Sequence, residues 1–437
     1  MGLTLIQFQY DCLPLGAVYL AYGLEKENIN FEVKLFKAEN AFKSASGIDK
    51  LYSFLINSRE ILAIGCYSDM LPYIIAALKK IKQKIPKKIV ILGGVGPTIV
   101  AQEIMDSFDF IDFIIAGCGI SSLPKLVKRI GAQEMEFDDI PSLLVRNKRI
   151  PFNNNFSGFV SEIPRIPAYH RIRDIDSYSV FSIKTSSGCP YRCTFCYASQ
   201  PAGRKVINRD LSEVIDELRL IKKITRGRNI FYTFIDEAFV VNKKRVIEFC
   251  RLLRKNKLKV PWGCYGRIDC MDQELLRNLR IAGCVQLYYG VESGSNRVLE
   301  KIKKGFTCEE AVKILMLSKK YIPTISASFI YRYPFEKFND FLDTFKMLKY
   351  LHYENIAVQL HPLAPVKNSE LYASYHKRLR FSIHEPCDYL LSTGLISSLP
   401  KDCIALISNY HDVFYDYRYY NSEDFDKIST FIAKNPI

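Results

Sequence analysis

The sequence predicts an α/β protein built from two strand–helix systems. A doubly wound parallel sheet is expected over residues 1–157, and a partial (β/α)6 barrel over residues 180–372. A linker at 158–179 joins them, and a small aromatic-rich region at 373–437 follows. Three observations predict this. Short apolar runs of strand length alternate with amphipathic helical patterns in two series. Glycine loops close the first series of strands, and glycine- or acid-bearing loops close the second. The chain has 437 residues, 48% hydrophobic and 24% charged, the balance of a globular protein large enough for two or three cores.

In the first series the strands are expected at 3–8, 31–36, 61–65, 89–92 and 111–116. Helical patterns at 15–27, 71–85, 98–107 and 121–130 lie between or after them. In such sheets a ligand sits at the carboxyl edge, where glycine loops let the backbone approach it. Gly65 to Ser68, Gly93 and Gly94 with Thr98, and Gly117 with Gly119 fall at three of these edges. Residues 140–151 read as a short hairpin turning at Asn147 and Lys148. Asn153, Asn154 and Asn155 with Pro164 and Pro167 mark a polar, semi-rigid linker, in which His170 is expected to face solvent.

The second series has strands at 180–185, 230–235, 261–265, 285–290, 324–330 and 356–360. Its helices carry clear start and stop signals. Asp210 to Glu213 opens one, Asp272 caps another that Gly283 stops, and Thr307 with Glu310 forms a capping box. Six such repeats predict a barrel open on one side, with chemistry where strands end.

The first of these strand ends holds Cys189, Cys193 and Cys196, a C-x3-C-x2-C triplet on one tight loop. A four-iron cluster with full thiolate ligation needs four cysteines. Three leave one iron open to a small chelating molecule. Structural zinc would also need four ligands, and the fourth would have to come from a distant residue such as Cys264 or His361. With Phe195 ahead of the last cysteine, the triplet resembles the radical S-adenosylmethionine (SAM) superfamily. That resemblance implies a [4Fe-4S] cluster whose free iron binds the amino and carboxylate groups of SAM, and one-electron cleavage of SAM to a 5′-deoxyadenosyl radical. It extends to the next strand ends. Asp236 or Glu237 matches an acidic motif that would meet the SAM ammonium group, with the choice between them open. Arg267 would pair with the SAM carboxylate or a nearby acid. Gly290 would let the cofactor lie close, and Glu292 would take its ribose hydroxyls or adenosyl end. Two stretches depart from the family. Residues 331–336 replace the glycine-rich turn usual after the fifth strand, and 361–366 replace a proline–glycine–threonine turn after the sixth.

Beside that triplet, the first 157 residues resemble the flavodoxin-like cobalamin-binding domain that precedes many radical SAM methyltransferases. The resemblance makes Ser68, Gly93, Gly94, Thr98, Gly117 and Gly119 candidate cobalamin contacts. Val95 and Gly96 stand where relatives often carry proline and histidine, and Cys118 and Ile120 where they carry acids. No D-x-H-x-x-G stretch offers a histidine to cobalt. The implied function is cobalamin-dependent methyl transfer to an unactivated carbon of a natural-product or peptide-like substrate. The alternative is a non-methylating radical reaction such as ring contraction, cyclisation or elimination. An electron donor such as flavodoxin or ferredoxin is the implied partner.

The net charge of +15 carries no basic–aromatic stripe, so nucleic acid is not expected as a partner. No apolar run reaches the roughly eighteen residues of a membrane span, and the first ten residues lack a secretory pattern. A cytoplasmic protein is expected, with most of its 13 cysteines reduced and Cys66, Cys250, Cys284 and Cys308 serving as packing residues. The aromatic cluster from Tyr410 to Tyr420 is expected to pack the tail against a core or to form a lid over the open barrel face.

Overall fold

The computed structural model describes residues 2–10, 12–42, 46–146, 163–199, 204–364, 366–367, 369–381, 400–414, 417–419 and 422–435. The chain divides into two compact units. One takes residues 1–178, 221–227 and 381–416, and the other takes 179–220, 228–380 and 417–437.

In the first unit β1 (Leu3–Gln9), β2 (Phe31–Lys37), β3 (Ile61–Gly65), β4 (Ile89–Gly93) and β5 (Phe113–Ile115) are parallel. β6 (Leu143–Val145) runs antiparallel on β5, giving the order β2-β1-β3-β4-β5-β6. The hydrophobic runs are continuous because both faces are covered. Ile6, Leu62, Val90 and Leu92 pack into one core, while their neighbours Leu5, Ile61, Ala63 and Ile91 pack into the other. Chain direction across the sheet reverses between β1 and β3, the switch point at which doubly wound sheets open a crevice at their carboxyl edge.

Three local differences from expectation have physical causes. The helix expected at 98–107 is two helices, Val95–Ile99 and Ala101–Ser107, broken at Val100 with φ −125°. It begins earlier because Gly94 starts the turn and Pro97 sits in the first turn, where its missing N–H costs nothing. A helix at Gly47–Ile56, not anticipated, buries Ile48, Leu51 and Leu55 on one stripe. The second arm of the expected 140–151 hairpin, with its turn at Asn147 and Lys148, lies outside the described residues, and the first arm is the sheet's sixth strand.

The described part of the linker belongs to the first unit. Ala168 N–H donates to the Val18 carbonyl at 3.1 Å, and exposed His170 places Nε2 2.8 Å from Glu25 Oε1. The C-terminal region is divided as well. Helix Lys401–Asn409 puts Cys403 and Ile407 into the first unit's core with Val413 and Phe414, and the Tyr410 ring lies 4.7 Å from that of Phe108. Helix Ser422–Lys434 instead packs on Phe338–Tyr353, with Phe431 4.9 Å from Phe345. These contacts match a tail packed against a core; Tyr415 and Tyr420 lie outside the described residues.

The second unit holds β7 (Val180–Ile183), a short antiparallel pair β8 (Ser186–Ser187) with β9 (Ile207–Asn208), and then β10 (Phe231–Phe234), β11 (Trp262–Gly266), β12 (Cys284–Glu292), β13 (Thr324–Tyr331) and β14 (Ala357–Pro362). Its main sheet is all parallel in the order β14-β13-β12-β11-β10-β7, six strands in chain order with β7 and β14 at its edges among the described residues. This is the open partial barrel expected. Trp262, Phe234, Phe239 and Phe249 form an aromatic knot under β10 and β11, and Trp262 Nε1 donates to the Ala282 carbonyl at 3.0 Å. Asp272 caps its helix through Leu275 N–H at 2.8 Å, and the Thr307–Glu310 capping box forms. Cys66, Cys250 and Cys284 are buried, and Cys308 is partly so.

Candidate active site

The cysteine loop leaves β7 and is locked from behind by β10. Asp236, fully buried, accepts hydrogen bonds from the Thr185 N–H at 2.6 Å, the Thr185 hydroxyl and the Ser186 hydroxyl at 2.8 Å. Burial raises its pKa, and those donors oppose the rise. Glu237, the next residue, accepts from Lys184 Nζ at 2.7 Å and from the Gly188 N–H at 3.2 Å. Gly188, at φ +93°, is where the chain turns into the cysteines. The geometry thus separates two residues that sequence left equal. Asp236 has both oxygens engaged and no exposure, so it positions the loop, while Glu237 stands beside Cys189.

Cys189 and Cys196 are partly exposed, and Cys193 is buried. The loop tip is tied down by the Thr194 N–H on the Ile302 carbonyl at 3.2 Å and by the Leu371 N–H on the Thr194 carbonyl at 2.8 Å. Burial pushes the Cys196 thiol up to about 12 and raises that of Cys189. Burial thus keeps both thiols protonated. Among the described residues no group of three His, Cys, Asp or Glu side chains could hold one metal ion. A cubane asks for something else, since it takes each thiolate on a different iron.

Arg267, at the exit of β11, is bound to this loop. Its Nη1 lies 3.7 Å from Cys193 Sγ, its guanidinium carbon 3.5 Å from the Tyr191 ring centroid, and its Nε 2.7 Å from Asp269 Oδ1. It also donates to the Lys304 carbonyl. Pairing with a nearby acid, one of the roles expected for it, is made with Asp269. Glu292, at the end of β12, has a left-handed backbone (φ +75°) at a register shift between β12 and β13. Strained backbone of this kind concentrates at functional sites. Its carboxylate lies 3.2 Å from Nζ of buried Lys304. Gly290 makes room, for a Cβ there would meet Glu292 Oε1 at 2.3 Å. Lys304 escaped the sequence reading. It lies among other lysines, and only the fold puts its ammonium 6.0 Å from the Phe195 ring.

In the first unit a cavity of about 190 Å³ opens at the carboxyl edge between β1, β3, β4 and β5. Gly93, Gly94, Gly117 and Gly119 line it, with Leu20 and Gln7. Gly94 (φ +88°) cannot be replaced freely, since a Cβ would meet the Cys66 backbone at 2.7 Å. Ser68 and Thr98 do not line the cavity. Thr98 is a staple, donating to the Gly94 carbonyl at 2.6 Å and accepting from the Gly117 N–H at 2.9 Å. Gln7 was not anticipated. It is the polar residue that Gly65 and Gly16 admit, and a Cβ on Gly65 would strike its Nε2 at 2.0 Å.

Comparison with known proteins follows the same lines. Residues 183–348 match the model of the Radical SAM superfamily. An uncharacterized methyltransferase of Pyrococcus horikoshii is 28% identical over 351 residues, covering 77% of this chain and 73% of its own. Among solved structures, the radical SAM methyltransferase TsrM from Kitasatospora setae, bound to its tryptophan substrate and a SAM analogue, has a TM-score of 0.68 at 16% identity, covering 88% of this chain and 79% of that one. The cobalamin-dependent SAM radical enzyme OxsB, with aqua-cobalamin and SAM bound, has a TM-score of 0.67 at 16% identity, covering 99% of this chain and 67% of that one. Residues 183–348, which hold the cysteine loop and most of the barrel around it, thus match a radical SAM domain, and the chain shares the sheet-and-barrel fold of TsrM and OxsB.

Proposed function

We propose that this protein is a cobalamin-dependent radical SAM enzyme that transfers a methyl group to an unactivated carbon of a natural-product or peptide-like substrate. The observation that carries the proposal is the joint presence, on one chain, of a three-thiol loop and a glycine-edged cavity at a sheet switch point. The donor set fits a cluster, with Cys189, Cys193 and Cys196 as ligands and Arg267 beside Cys193 as a fixed cation. The cavity fits one arm of a large cofactor. It is apolar, and it is smaller than the roughly 300–1,000 Å³ of a site that encloses a whole drug-sized ligand. When bound, the cluster with SAM would supply a carbon-centred radical, and cobalamin a methyl group.

The protein's own residues would position and exclude. Glu237 and Glu292 would take the ammonium and ribose ends of SAM. Lys304 would hold Glu292 in its strained pose, and Asp236 would fix the loop from behind. Both OxsB and TsrM have been solved with cobalamin bound, TsrM also with a [4Fe-4S] cluster, and the shared fold supports the same use here. A flavodoxin or ferredoxin would supply the electron. The test is anaerobic turnover with candidate substrates and SAM carrying a labelled methyl group. A labelled product with S-adenosylhomocysteine as co-product is expected. Turnover that leaves the label in SAM-derived fragments alone would replace methyl transfer by a non-methylating radical reaction.

A further inference from the structure

The turn after β13, Tyr331 to Glu336, departs from the glycine-rich pattern that the resemblance leads one to expect and brings an aromatic residue against the cysteine loop. Tyr333 is fully buried, and its hydroxyl has no hydrogen-bond partner among the described residues. Leaving a buried hydroxyl unpaired costs about 1–3 kcal/mol, so a native orphan asks for a missing partner. The ring is held from two sides. It stacks on Phe335 at 5.8 Å with 14° between planes, and it meets Phe195, inside the cysteine loop, edge-on at 6.2 Å. The turn that carries it is itself constrained. Arg332 has φ +67°, and the Arg332 and Tyr333 amides both donate to buried Glu336, at 2.5 and 3.3 Å. Burial, with Glu292, Glu336 and Cys193 near it, keeps the proton on the phenol. It can therefore serve as a donor.

We propose that Tyr333 is a positioning residue whose hydroxyl donates a hydrogen bond to an anionic acceptor held between Cys193 and Glu292. That acceptor is either a sulfur of the cluster or the carboxylate of SAM on its open iron. The inference rests on the radical SAM reading of the site. Tyr333 would thereby tune or orient what the three thiols hold, a role that neither the cysteine motif nor its acidic neighbours supply.

The experiment compares the reconstituted wild-type protein with Tyr333→Phe, which keeps the ring and removes the donor. Two quantities are read: the cluster's reduction potential without SAM, and the SAM dissociation constant from the change in the cluster's electron paramagnetic resonance signal. A bond to cluster sulfur favours the more negative reduced state, so its loss lowers the potential, by 59 mV for each tenfold change in the one-electron equilibrium. A bond to the SAM carboxylate leaves that potential alone, and its loss weakens SAM binding about tenfold or more. Difluorotyrosine at position 333, a stronger donor on the same ring, moves the affected quantity the opposite way and covers the case in which Tyr333→Phe fails to fold. Unchanged potential and unchanged SAM affinity in these variants overturn the inference. A wild-type protein that assembles no cluster overturns the radical SAM reading instead.

Discussion

At the scale of single residues, the barrel's working edge depends on charges that the fold has buried in pairs. Glu292 and Lys304 are 11% and 7% exposed at their side chains. Removing one member of such a pair leaves the other uncompensated, at about 3–5 kcal/mol. Lys304→Met should therefore lower barrel stability by that order and weaken SAM binding at least tenfold, as read by thermal unfolding and SAM titration. Glu336 gives a separate test through pH. Burial raises its carboxyl from 4.5 to about 8, so the native state holds this proton more tightly than the unfolded chain does. The stability it contributes is present below about pH 4.5 and is lost as pH rises through about 8, an upper limit of roughly 3–5 kcal/mol. Glu336→Gln keeps an acceptor for the turn amides and removes the titration. Its melting temperature should match wild type near pH 5 and exceed it at pH 9. Cys189, Cys193, Cys196 and Glu292, with Asp236 or Glu237, were legible in the sequence as candidates because they fall at the strand ends. Sequence alone could not separate Asp236 from Glu237, or find Lys304 and Tyr333, because adjacent residues on a strand exit point in different directions that only packing decides.

At the scale of elements, loops carry the sites and the strands set their places. The loops after β3 and β4 are locked by close backbone approach at Gly94, and those after β4 and β5 by the Thr98 staple. Gly94→Ala combines a left-handed backbone with a clash against the Cys66 backbone, strain of about 1–3 kcal/mol before relaxation. Cobalamin uptake should fall sharply in this variant while iron and sulfide content stay at wild-type levels, as read by absorption and metal analysis. Normal cobalamin uptake by this variant would contradict a role for the glycine cavity in holding the cofactor. The strands were legible because each is a short apolar run bounded by turn residues, and the capped helices because Asp272 and Thr307 announce them. The helix Gly47–Ile56 was missed although Ile48, Leu51 and Leu55 keep helical spacing, since so short a stripe is weak as a pattern and is fixed by the core it joins. The break at Val100 follows from loop contacts that no local pattern encodes.

At the scale of the whole molecule, two units each present a carboxyl sheet edge, and the C-terminal segment contributes to both of them. Among the described residues no helix is long and apolar enough to cross a membrane. The division into a parallel sheet and an open six-stranded barrel was readable from the two series of strands. The splitting of the tail was not, because Cys403 and Phe431 join different cores through contacts distant in sequence. The central claim is that this one chain cleaves SAM at its three-cysteine loop and draws on cobalamin for methyl chemistry. The measurement that tests it most directly is mass-spectrometric quantification of SAM-derived products from the anaerobically reconstituted, reduced protein, with and without cobalamin. Expected are 5′-deoxyadenosine that disappears in Cys193→Ala, and S-adenosylhomocysteine that forms only when cobalamin is present. Colourless protein that forms neither product would contradict it.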